Sequence, residues 1–245
     1  MLPKIDVPVY ETTLISTGKK VKFRPFLVKE QKLFLMAAQS EDQNEIVSVI
    51  KQVLNNCLVS KVDIDELPTF DLENLFMNLR AKSVGEVINL KYTCNNNVTD
   101  ENNETKKCGS LVNFDLNLLE IAPEISKEHS KKIEISKKLG IMMKYPTIKM
   151  LENIKDINFN DIDGLIEIIT SCIDYIYDEN QMYYAKDTEK QELIEFVENL
   201  QQDDLNKIQI FFNTMPKIKK ELDFKCRKCG YEEKIVVEGI QNFFV

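Results

Sequence analysis

Four cysteines carry the sharpest chemistry in the sequence. Cys226 and Cys229 lie two residues apart in ELDFKCRKCGYEEKIVVEG, with Gly230 immediately after. Cys108 is followed by Gly109 in the same way, and Cys94 closes the stretch VINLKYTC. A structural zinc ion takes four ligands, and two thiols at a turn supply half of them. The two pairs together complete a set. Cys94, Cys108, Cys226 and Cys229 are therefore the candidate ligands of one zinc ion, with no position left open for catalysis. The competing readings are reduced thiols without metal, or a redox pair at Cys226 and Cys229. A redox CxxC usually opens a helix, whose dipole lowers the thiol pKa. The residues around Cys226 alternate as a strand does, which disfavours redox chemistry.

The elements that must hold these thiols are hairpins. Ile88, Leu90, Tyr92 and Cys94 alternate with polar residues, as do Val112, Phe114, Leu116 and Leu118 after Cys108. This is the period of a half-buried strand. LKYTC at 90–94 matches LDFKC at 222–226, and Cys108-Gly109 matches Cys229-Gly230. The chain thus repeats a strand–Cys–turn–Cys–Gly–strand unit, in which glycine lets the backbone turn back toward the sulfurs. The first copy carries thirteen residues between its thiols, NNNVTDENNETKK, all but one polar. Their composition predicts a disordered insertion.

Other candidates are weaker. Cys172 lies on an apolar helical stripe with Ile162, Leu165, Ile166, Ile169, Ile173 and Ile176, and Cys57 ends another such stripe. Both read as core residues. The single histidine, His129, sits in a polar stretch and reads as a surface residue. Asp156, Asn158, Asn160 and Glu167 have part of the spacing of a calcium loop, but Asp161 stands where that loop needs glycine. Asn160 or Asp161 reads better as a helix N-cap. Ser16-Thr17-Gly18-Lys19 lacks the pattern of a phosphate loop and reads as a hairpin turn. Phe243 and Phe244 near the end are either core residues or an anchor for a partner.

The expected fold class is α+β. A mainly helical body carries an N-terminal β-hairpin. A zinc-ribbon-like pair of β-hairpins brings residues 84–118 and 218–238 together. The segments are an N-terminal hairpin (1–27), a helical segment (28–83), the first knuckle hairpin (84–119), a helical insertion (120–216), and the second knuckle hairpin with its tail (217–245), forming one composite domain. Helices are expected near 28–39, 43–57, 70–82, 162–177, 188–200 and 203–214. Ser40 with Gln43 reads as a capping box, and Asp71 as the cap of the third helix.

Composition narrows the function. At 43% hydrophobic residues the chain can bury a core, and no apolar run approaches the length of a membrane span. No basic start followed by an apolar block marks a secretory signal. A net charge of −8 with no basic stripe disfavours nucleic acid, whose phosphates need clustered Lys and Arg. Cysteines in a chain without such a signal serve as core residues, ligands or catalysts rather than disulfides.

FRPFLVKEQKLFLMA, DLENLFMNLRAKSVGE, GIMMKYP and the closing Cys226-x-x-Cys229-Gly230 with GIQNFF occur in that order. Together they resemble the baseplate hub assembly family of T-even-type contractile-tailed phages, over nearly the whole chain. The resemblance implies a role in tail morphogenesis as a chaperone or hub subunit. It implies hub proteins as partners, and location in the host cytoplasm during assembly or in the virion baseplate. A non-enzymatic assembly protein with a structural zinc site is the leading expectation, and a homo-oligomer is compatible with it. A zinc-ribbon redox or other thiol-dependent enzyme using Cys226 and Cys229 is the alternative. A nucleic-acid-binding ribbon ranks below both.

Overall fold

The structure, a computed structural model, describes residues 5–40, 43–99, 105–121, 123, 125–153 and 161–239. It is a mixed α+β fold in two compact units: Met1–Val62, Phe70–Glu124 and Lys217–Val245 form one, and Asp63–Thr69 with Ile125–Pro216 the other.

The first unit opens with an antiparallel hairpin, β1 (Tyr10–Thr13) and β2 (Lys20–Phe23). Its turn needs glycine: Gly18 has φ +69° and donates to Leu14 O at 2.8 Å. Helices α1 (Val28–Ser40), α2 (Gln43–Cys57) and α3 (Thr69–Ser83) follow, close to where apolar spacing predicts them. Helix α3 buries Phe70, Leu72, Leu75, Phe76, Met77, Leu79 and Ala81, more than one face, because it lies in the centre of this unit. The side chains of Ser40 and Gln43 lie outside the described residues.

Asp71 does not cap α3. It is fully buried in the first turn, and its carboxylate accepts from Ile15 N at 2.6 Å, Ser16 N at 3.3 Å and the Ser16 hydroxyl. The donors come from the β1–β2 turn, 55 and 56 residues earlier in the chain, and a buried carboxylate with such donors serves them before its own helix. The buried Glu30 works locally: it accepts from Leu27 N at 2.8 Å and pairs with Arg24 at 3.0 Å.

Two long hairpins complete this unit. Strands β3 (Val87–Thr93) and β6 (Leu111–Asn117) pair antiparallel, as do β11 (Lys219–Lys225) and β12 (Glu232–Glu238). Leu90 and Leu116 from the first share a core with Leu222 and Val237 from the second, closed below by Met77 and Ala81 of α3. Lys234 and Glu221 pair across β11 and β12 at 3.2 Å on the solvent side.

The second unit corrects the expectation of a mainly helical body. Strands β7 (Lys132–Glu134), β8 (Gly140–Met143), β9 (Ile173–Tyr177) and β10 (Met182–Tyr184) form an antiparallel sheet in the order β10-β9-β8-β7. One face packs Ile133, Ile141, Met143, Ile173 and Ile176 onto helices α5 (Ile162–Ser171), α6 (Lys190–Glu198) and α7 (Gln202–Thr214). A short α4 (Ile148–Asn153) follows Pro146. The stripe expected to run as a helix to 177 stops at Ser171, with Cys172 as its C-cap. Ile173–Tyr177 is rich in β-branched and aromatic residues, and pairing with β8 overrides the helical spacing. Tyr177 crosses Gly140 so closely that a Cβ there would lie 2.1 Å from the phenol oxygen.

Candidate metal centre

Each knuckle begins where a strand ends. β3 delivers Cys94 and β11 delivers Cys226, one residue past the last paired position. The backbone then folds back in the same way twice. Gly109 N donates to Cys94 O at 3.0 Å and Gly230 N to Cys226 O at 2.9 Å. Cys94 N donates to Ser110 O and Cys226 N to Tyr231 O, both at 2.8 Å. Gly109 and Gly230 have φ of +66° and +74°, which the sequence anticipates by placing glycine after each second thiol.

Between Cys94 and Cys108, the described residues 95–99 and 105–107 depart from the expected disorder, and residues 100–104 lie outside the described residues. Strands β4 (Asn97–Thr99) and β5 (Thr105–Lys107) pair antiparallel, and Cys108 N donates to Asn96 O at 2.8 Å. Val98, the one apolar residue of this stretch, packs against the cysteines. Polar composition conceals it because a two-stranded ribbon satisfies its backbone without a large core.

The four sulfurs lie within 4.8 Å of one another. Cys94 and Cys229 are 3.6 Å apart, Cys108 and Cys226 3.7 Å. These separations are far beyond the roughly 2.05 Å of a disulfide. They match the roughly 3.8 Å edge of a sulfur tetrahedron around zinc at about 2.3 Å. Cys94, Cys108 and Cys226 are buried and Cys229 half-buried. Tyr92, Phe114 and Phe224 pack around the cluster, with Phe114 and Phe224 meeting in a tilted contact across the two hairpins at 6.3 Å.

Backbone amides are aimed at the sulfurs by one rule. The amide two residues on favours the thiolate of each cysteine, Asn96 for Cys94, Ser110 for Cys108 and Tyr231 for Cys229, and at Cys226 the amide of Cys229 acts together with that of Lys228. The amides of Cys229 and Lys228 hold the Cys226 thiol down to about 6. Burial pushes Cys94 up to about 12. Four adjacent thiolates repel one another, so the cluster cannot ionise fully without a cation. A divalent ion of thiophilic character removes that conflict, and the amides spread the remaining negative charge. The donor set and its spacing fit such an ion. Ligation by all four sulfurs would leave no coordination site for substrate.

The remaining candidates fall elsewhere. Cys57 and Cys172 are buried, and burial raises them to about 11 and about 12. Cys172 belongs to the core of the second unit, and Cys57 lies 3.5 Å from Arg24 Nη1. His129 is not a plain surface residue. Its ring stacks on Tyr145 and Phe211, and its nitrogens lie 3.0 Å from Thr214 Oγ1 and 2.9 Å from Tyr145 OH. Burial and Lys131 lower its pKa. Partners 16 and 85 residues away leave no local trace in the sequence. Asp161 is the N-cap of α5, accepting from Gly164 N at 2.8 Å, and Glu167 pairs with Lys190. Asp156, Asn158 and Asn160 lie outside the described residues, as do Phe243 and Phe244. Among the described residues no helix is long and apolar enough to cross a membrane.

The comparisons with known proteins agree with the resemblance read from the sequence. The chain is 25% identical over 233 residues to the baseplate hub assembly protein gp26 of Enterobacteria phage T4, covering 93% of each chain. No solved structure matches. A family profile described as T4 bacteriophage base plate protein matches residues 7–245, and the chain belongs to that family.

Proposed function

We propose that this chain is a non-enzymatic baseplate hub assembly protein that acts by binding hub components. The observation that carries the proposal is the similarity to a hub assembly protein over 93% of both chains, which leaves no large segment for an unrelated activity. Cys94, Cys108, Cys226 and Cys229 hold a structural zinc ion that fixes the two hairpins as one body, in the manner of a zinc ribbon. Zinc supplies no chemistry here beyond cross-linking. Its ligands come from positions up to 135 residues apart, so it closes a long loop of chain. The CxxC lies in a turn between two strands rather than at a helix start, which weighs against thiol catalysis. Phe243 and Phe244 serve as anchors for a hub partner.

Two assignments fit this reading: a chaperone that leaves before the baseplate is complete, and a hub subunit that stays. Affinity capture of the tagged chain from infected cells, analysed beside purified particles, separates them. Hub proteins captured with no chain in the particles identifies the chaperone, and chain at fixed stoichiometry in particles the subunit. Capture of no hub protein together with absence from particles sinks the assembly role. Metal analysis of the purified protein should give one zinc per chain, and a metal-free protein with four titratable thiols in this cluster sinks the zinc site.

A further inference from the structure

The i+2 rule puts Asn96 and Lys228 in equivalent places, and both reach across to the other knuckle. Lys228 Nζ lies 3.3 Å from Cys108 O. Asn96 goes further, because its side-chain amide reaches a sulfur: Asn96 Nδ2 lies 3.7 Å from Cys229 Sγ, within range for an N–H···S bond. Its backbone oxygen meanwhile accepts from Cys108 N at 2.8 Å. Its backbone amide serves Cys94. One half-buried residue thus touches three of the four cysteines, two in its own knuckle and one in the other.

We propose that Asn96 is a positioning residue of the metal centre: its side-chain amide fixes Cys229 against the first knuckle and donates a charge-stabilising hydrogen bond to that sulfur. Cys229 is the thiol that most needs such support. It is the one ligand of the four that is not fully buried, so solvent and competing chelators reach the site beside it. Val98, two residues on, packs against the same cysteine cluster. The thirteen-residue segment that makes the first knuckle unlike the second thereby gains a role at the metal. Ligands held by an outer hydrogen bond keep metal better than ligands without one, and losing that bond typically costs ten- to a hundredfold in affinity.

The inference rests on the metal reading above, and the test separates the two. The unaltered protein, Asn96→Ala, Asn96→Asp and Lys228→Ala are each loaded with zinc, and release to an excess of chromophoric chelator is timed. Cobalt-substituted samples give the thiolate-to-metal charge-transfer band, which a purely structural role for Asn96 would not move. Asn96→Ala should still bind one metal but release it roughly tenfold faster. Its cobalt band should shift while the thermal midpoint of the metal-free form stays unchanged. Asn96→Asp, nearly the same size, should release faster still because it places a carboxylate against a thiolate; it also covers the case in which the alanine variant folds poorly. Lys228→Ala, which removes no bond to sulfur from a side chain, should leave the band in place. Equal release rates in the unaltered protein and both Asn96 variants overturn the proposal while the metal site stands. A shift of the same size in Lys228→Ala also overturns it, assigning the effect to general loosening of the knuckles. An unaltered protein that holds no metal overturns the site and the role together.

Discussion

Between Cys94 and Cys108 lie thirteen residues; between Cys226 and Cys229 lie two. Yet both pairs end a strand, turn on a glycine at positive φ, and return along the partner strand with matching backbone hydrogen bonds. The knuckle is therefore defined at its two ends, by where each strand delivers its cysteine and where glycine reverses the chain. What lies between is free to grow, provided it closes on itself. In the first knuckle it does so by pairing Asn97–Thr99 with Thr105–Lys107. The difference appears at the surface: the short knuckle leaves Cys229 half-buried, and the long one brings Asn96 to its side and packs Val98 on the cluster.

The largest expected effect comes from removing a ligand. Cys226→Ser and Cys94→Ser should each abolish metal binding and lower stability by at least about 4 kcal/mol, measured by denaturant unfolding with zinc present. The comparison makes the two losses similar, since each removes one of the four sulfurs that meet in the cluster. A Cys94→Ser protein that keeps its metal and stability would mean that the first knuckle is no ligand pair.

Glycine substitution probes the turns. Gly230→Ala and Gly109→Ala should each cost about 1 to 2 kcal/mol, because an alanine at these φ values is strained wherever space allows it. Nothing lies within 4 Å of a Cβ at Gly230, and only Lys107 O at 4.0 Å is near Gly109, so backbone strain sets both numbers. Unequal costs would show that the two turns are not equivalent.

The smallest effect should follow from making the knuckles alike. Replacing residues 95–107 by Arg-Lys shortens the connection by two to three halvings, worth roughly 1.6 kcal/mol of closure entropy. The loss of the Asn96 and Val98 contacts opposes that gain, so the net change in unfolding free energy should stay within about 1 kcal/mol. Metal release should nevertheless accelerate. A protein that no longer folds would make the insertion part of the core rather than an extension of a turn.

Much of the first unit is legible in the sequence because its signals are local. Alternation in VINLKYTC and LDFKC, glycine after each second thiol, and apolar spacing in 28–39, 43–57 and 70–82 each depend on neighbours within a few residues. The second unit is less legible. Ile173 and Ile176 fit a helical stripe with Ile169 as well as they fit a strand, and the partner that decides between them, β8, lies 30 or more residues earlier. His129 reads as a surface residue until Tyr145 and Phe211 close around it. Asp71 reads as a cap until the β1–β2 turn presents two amides and a hydroxyl to it.

The sequence by itself determined the four sulfurs, their two glycine turns and the helices of the first unit, since residue type and short-range period suffice for these. The tertiary structure alone decided that the sulfurs meet within 4.8 Å, that Asn96 spans the two knuckles, and that the middle block closes around a four-stranded sheet. Those outcomes depend on contacts between residues far apart in the chain. The repeated strand, thiol and glycine point to the sulfurs meeting, but packing and hydrogen bonding set their separations and the other contacts only once the whole chain is folded.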